Sequence, residues 1–86
     1  MTDEELEQAK AIMDILKYDI VTDEYGTKCY YQHGELHRDG GPAIEWANGT
    51  KCYCQHGKHH RDDGPAVECP SGYKQWWLNG VEVDPF

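Results

Sequence analysis

A nine-residue segment, Gly26-Thr27-Lys28-Cys29-Tyr30-Tyr31-Gln32-His33-Gly34, returns 23 residues later as Gly49-Thr50-Lys51-Cys52-Tyr53-Cys54-Gln55-His56-Gly57. It returns a third time, degraded, as Gly72-Tyr73-Lys74-Gln75-Trp76-Trp77-Leu78-Asn79-Gly80. Between these copies lie His37-Arg38-Asp39-Gly40-Gly41-Pro42-Ala43-Ile44-Glu45 and His60-Arg61-Asp62-Asp63-Gly64-Pro65-Ala66-Val67-Glu68, also 23 apart and without a gap. A fixed period of this length means one small supersecondary unit stacked on copies of itself, each supported chiefly by its neighbours. The chain therefore divides into an N-terminal segment 1–25, full units 26–48 and 49–71, and a shortened unit 72–86, all in one domain. A chain of 86 residues removes only about 60–65% of its unfolded surface from water, so a large buried active site is not expected.

Within a unit the local signals are those of strands and turns. Lys28 to Gln32, Lys51 to Gln55 and Lys74 to Leu78 are rich in aromatic residues and Cys, and each runs into His-Gly or Asn-Gly, a tight-hairpin signal. Gly41-Pro42 and Gly64-Pro65 break the chain again, and Ala43 to Trp46 and Ala66 to Cys69 alternate as further short strands. Ahead of the repeats, Thr2 and Glu5 fit a capping box, and Leu6, Ala9, Ile12, Met13 and Leu16 recur at helical spacing. The expectation is an α+β fold: an amphipathic helix over about residues 3–17, its apolar stripe packed on an antiparallel β-meander. Ile20 to Thr22 join the two as a short strand, and the acidic face of the helix looks to solvent.

Charge bounds the partners. The net charge is −8, and residues 1–25 carry −6 of it, which argues against direct binding to nucleic acid or anionic lipid and for a protein partner with a basic surface. No apolar run approaches the roughly 20 residues of a bilayer span, so no membrane segment is expected. The acidic opening Met1-Thr2-Asp3-Glu4-Glu5 is unlike a secretory signal, and the expected location is the cytoplasm, with Cys29, Cys52, Cys54 and Cys69 reduced.

The motif His-Arg-x-x-Gly-Pro-Ala-x-Glu with a following turn glycine, at a period of 23 over residues 26–86, resembles the short HRxDGPA repeats of phage, prophage and giant-virus proteins, which are similar to variants of the MORN repeat. The resemblance implies an all-β repeat sheet and a viral origin, with the host cytoplasm as location, and brings no catalytic residues. Arg38-Asp39 and Arg61-Asp62 stand where the MORN pattern has Gly-x-Gly, so the lipid-binding role of some MORN proteins is not carried over.

Three groups of side chains carry candidate chemistry. His37, Arg38, Asp39, Glu45, His60, Arg61, Asp62 and Glu68 combine a general base with a phosphate-holding guanidinium. Their duplication points instead to a structural corner, with Arg paired to Glu45 or Glu68 and Asp starting the turn. The four cysteines with His33, His56 and His59 offer zinc's N/S donors. They lack knuckle spacing, however, and Cys52 and Cys54 are expected about 7 Å apart on one straight strand. They are read as small core residues, with no metal and no cofactor. Tyr30, Tyr31, Tyr53, Trp76 and Trp77 form an aromatic series, any exposed part of which suits protein binding or self-association, including a homodimer.

The function expected is a small non-catalytic protein-binding module, an inhibitor of a host nucleic-acid-targeting defence complex of the anti-CRISPR or anti-restriction type, contacting its partner through Glu4, Glu7, Asp14 and Trp77. The alternatives are a small His/Asp hydrolase or nuclease and a purely structural, self-associating repeat protein.

Overall fold

The computed structural model describes residues 2–86, the side chains of Lys10 and Ala11 excepted. Helix α1 spans Asp3–Lys17. Thr2 caps it from an extended backbone, its hydroxyl accepting the Glu5 N–H at 3.2 Å, while Asp3, Glu4 and Glu5 in the first turn and Lys17 in the last complement the helix dipole. Ten short strands follow: β1 (Asp19–Thr22), β2 (Lys28–Gln32), β3 (Glu35–Leu36), β4 (Ile44–Glu45), β5 (Lys51–Cys52), β6 (Cys54–Gln55), β7 (Lys58–His59), β8 (Val67–Glu68), β9 (Lys74–Leu78) and β10 (Val81–Val83). Every pairing is antiparallel.

The strands form two rows rather than one meander. The first row runs β1-β2-β4-β5-β8-β9. The hairpins β2–β3, β6–β7 and β9–β10 make up the second. They are joined by the Gly57 N–H to the Leu36 carbonyl at 2.9 Å and the Arg38 N–H to the Cys54 carbonyl at 3.2 Å, and again by Gly80 to His59 and Arg61 to Trp77. Each unit's long strand passes from one row to the other at its middle residue. Tyr30 and Tyr53 donate their N–H to the carbonyls of Ala43 and Ala66 and accept from His37 and His60. In the second unit this crossing interrupts the strand at Tyr53, so the single strand expected over 51–55 is two pieces, β5 and β6.

At the hairpin tips His33-Gly34, His56-Gly57 and Asn79-Gly80 all have positive φ at both residues, from +49° to +81°. That is the primed turn whose twist matches its strands, and it explains why His or Asn, followed by Gly, recurs there.

The register sorts the first row into two faces. On one, Lys28, Glu45, Lys51, Glu68 and Lys74 stand directly opposite one another, an alternating ladder of charge. On the other run Val21, Cys29, Ile44, Cys52 and Val67. The second row covers this apolar face: Ala43, Cys52 and Cys54 form the buried cluster, with Leu36, Ile44 and Val67 packed against it.

This arrangement overturns the expected docking of the helix. The apolar stripe of α1 faces solvent, with Leu6 46%, Ile12 59%, Met13 66% and Leu16 82% exposed. The hairpins cover the part of the apolar face around Cys52, and the surface beside α1 carries Lys28 and Arg38 together with Ile20 and Tyr30, where two ion pairs hold the helix. Asp14 pairs with Arg38 at 3.0 Å and Lys17 with Asp39 at 2.8 Å. Beyond its last turn Tyr18 is buried, edge-on to Tyr30 with ring centres 5.9 Å apart, its hydroxyl accepting the Asp39 N–H at 2.9 Å.

Candidate functional site

The two His-Arg-Asp segments have the same geometry. The guanidinium of Arg38 lies 3.9 Å from the centre of the Tyr30 ring, and that of Arg61 3.9 Å from Tyr53. Each donates to a carbonyl four residues on, Pro42 or Pro65, and to a carboxylate seven residues on, Glu45 at 2.9 Å or Glu68 at 2.8 Å. The glycines of the motif have a steric reason: a Cβ on Gly41 or Gly64 would sit 3.0–3.3 Å from the guanidinium atoms. A stacked, forked cation of this kind is a task for Arg and not for Lys. Asp39 bridges Lys17 and His37, and hydrogen bonding from the Lys17 ammonium holds its carboxyl below the usual range. Asp62 is exposed, and Asp63 instead accepts from Arg61 at 2.9 Å.

Each motif histidine grips the hairpin of the following unit. Nδ1 of His37 accepts the His56 N–H at 3.1 Å, and Nδ1 of His60 accepts the Asn79 N–H at 2.9 Å. His37 is buried, and with Nδ1 accepting, its Nε2 carries the proton shared with Asp39 at 3.1 Å. The lone pair that a general base needs is engaged in both rings. The cleft between the two segments, lined by Arg38, Tyr53, His60 and Arg61, measures about 190 Å³, below the usual range of small-molecule sites. Replacing His37 with Ala should cost about 2 kcal/mol in chemical denaturation and replacing His60 about 1, because the bond at His60 is open to water that can replace it.

The residues assigned to partner binding are not brought together. Glu4 and Glu7 are exposed on α1. Asp14 is engaged with Arg38 and anchors the helix, so it is not a free surface charge. Trp77 is half-buried in the second row at the other end of the molecule, edge-on to His59 with ring centres 5.2 Å apart.

The third group, the cysteines with His59, lies closer together than straight-strand spacing implies. The break at Tyr53 turns Cys54 back toward Cys52, and the sulfurs lie 3.7 Å apart instead of about 7 Å. Nδ1 of His59, across the hairpin from Cys54, is 3.0 Å from the Cys52 sulfur and 3.5 Å from that of Cys54. The two thiols share their first proton loss: the hydrogen bond from Cys52, helped by His59, pulls Cys54 down to about 6, and the same bond pushes Cys52 up. Superposing the copies in sequence supplies the signal that spacing lacked. Where the first unit has Tyr31 and Leu36 and the third Trp77 and Glu82, the second has Cys54 and His59.

No protein-family model matches the chain, and no curated protein and no solved structure matches it either.

Proposed function

We propose that the protein is a non-catalytic protein-binding module whose contact surface is the outward apolar stripe of α1 with its acidic flanks. The observation that carries this reading is that a capped helix is pinned through Asp14, Lys17 and Tyr18 while Leu6, Ile12, Met13 and Leu16 point away from the fold. Anchors at such spacing suit an apolar groove of another protein. The partner is one with a basic rim. A second copy would bring together two segments of −6 each, whereas a groove edged with Lys and Arg gains from Glu4, Glu7 and their neighbours. A basic nucleic-acid channel of a host defence complex, occluded by a phage or prophage inhibitor, is the partner class we favour, on the charge and on the resemblance of the repeat. Among the described residues no helix is long and apolar enough to cross a membrane.

The test separates the two contributions. Met13→Asp with Leu16→Asp should leave the melting temperature within a few degrees of the parent, because exposed positions contribute within about 0.5 kcal/mol, and should abolish capture of a purified basic partner. Glu4→Lys with Glu7→Lys should slow association more than it speeds dissociation and should blunt the salt dependence. Unchanged binding by the Met13 and Leu16 variant would exclude this surface.

A further inference from the structure

The geometry points to a site for one thiophilic d10 ion, Zn(II) or Cu(I), held by the sulfurs of Cys52 and Cys54 and by Nδ1 of His59. These are the described residues whose cysteine, histidine or carboxylate donor atoms come within 4.8 Å of one another as a group. Two zinc–sulfur bonds of about 2.3 Å at a tetrahedral angle place the sulfurs about 3.8 Å apart, and a sulfur and a nitrogen about 3.6 Å apart. The separations here are 3.7 Å between sulfurs and 3.0 and 3.5 Å from sulfur to nitrogen. A shift of about half an ångström at His59 would centre all three donors on one ion. Two thiolates and one imidazole are a soft donor set, which selects these two ions over hard cations.

Packing alone does not account for the cluster. A core position in a chain this small is best filled by a large apolar side chain, and the flanking hairpins have one there, Tyr31 against Leu36 and Trp77 against Glu82. The second hairpin departs from both neighbours at two paired positions at once, and both departures place a ligand atom beside Cys52. In consequence, among the described residues, the largest fully buried side chains are Cys52 and Cys54, and the rest of the buried apolar set is Tyr18, Tyr30, Ala43 and Ala66. Scaffolds of this size with so little core commonly depend on a staple, of which a bound metal is one kind. The His59 ring is also held in place by Trp77, edge-on behind it.

Binding is a proton exchange with no change of oxidation state: the ion takes both sulfurs as thiolates, two protons leave to the buffer, and neutral His59 supplies its lone pair. Zn(II) completes a fourth position with water, whereas Cu(I) is satisfied by three donors, so one set serves either.

The experiment uses the full chain, stripped by chelator under reductant, and titrates it with Zn(II) against a chromophoric competitor and separately with Cu(I) under anaerobic conditions. The expected result is one ion per chain for at least one of the two, and a raised melting temperature. Cys29→Ser and Cys69→Ser should bind as the parent does. His59→Leu, which gives the second hairpin the residue of the first, and Cys54→Ser should weaken binding by more than about 100-fold, beyond the range of losses outside the ligand shell. Should Cys54→Ser fail to fold, His59→Leu carries the comparison. Absence of saturable one-to-one binding by both ions, or binding that survives His59→Leu, overturns the assignment.

Discussion

Arg38→Ala should lower stability by about 2–3 kcal/mol and free the helix in the same step. For a chain of this length the whole folding free energy is of order 4–13 kcal/mol, so this is a large fraction of it. Truncation removes the guanidinium from the Tyr30 ring, leaves Glu45 and the Pro42 carbonyl without their donor, and deletes the partner of Asp14. The Arg38 side chain is only 18% exposed, which lifts these contacts above the worth of a surface ion pair, although Glu45 at 36% keeps part of its hydration. Thermal melts should show a fall of roughly 10–20 °C, and limited proteolysis should cut within residues 3–17. Arg61→Ala makes the same losses in the next unit without any helix contact. Its melt should fall nearly as far while the helix stays protected. Arg38→Lys should not rescue, since an ammonium cannot lie flat on Tyr30 and donate in two directions. A lysine variant with parental stability would show that charge, not the fork, holds the corner.

The second large effect is expected at the alanines of the motif. Ala43 and Ala66 are fully buried, each with its backbone committed on both sides: Ala43 accepts from Tyr30 and donates to Cys52, and Ala66 accepts from Tyr53 and donates to Gln75. Ala66→Leu adds three carbons at a side chain wholly shut off from solvent, and the strands cannot separate without breaking these bonds. A cost of at least 2 kcal/mol, about the middle of the overpacking range, should follow. Ala66→Gly, which inserts nothing, should cost only about 1 kcal/mol through chain entropy. Near-equal unfolding midpoints for the two variants would show that the site has slack.

Much of this architecture was legible in the residues. The capping box at Thr2 and the spacing of Leu6 to Leu16 locate α1 at its observed bounds, and His33-Gly34, His56-Gly57 and Asn79-Gly80 locate the hairpins. The Arg-to-carboxylate spacing of seven was readable too, because it recurs unchanged in two units. The orientation of the helix was not legible. Binary pattern tells which side of a helix is apolar, but not whether another part of the chain has already taken the only apolar surface, and here Leu36 and Cys54 of the hairpins had done so. The convergence of Cys52 and Cys54 was hidden for a related reason. Period-two reasoning assumes a straight strand, and the departure at Tyr53 comes from hydrogen bonds to Ala66 and His60, both of which lie in later parts of the chain.

The imidazole grips run one way along the array, from each unit to the next, and this gives the molecule a direction of unravelling. His37 holds the turn of the second unit and His60 that of the third, but in the third unit the positions of His and Arg are filled by Val83 and Asp84. Trp76, at the place of Tyr30 and Tyr53, has no guanidinium above it, and its buried indole N–H finds no partner among the described residues. The third unit thus receives a grip and extends none, so opening it frees His60 and the Arg61 N–H but leaves the guanidinium contacts of both corners in place. Opening the first unit, by contrast, would strip His37 from the second and release α1 as well. Loss of order is therefore expected to be graded, beginning at β9–β10 and reaching the Arg38 corner last, a zipper with its slider at one end.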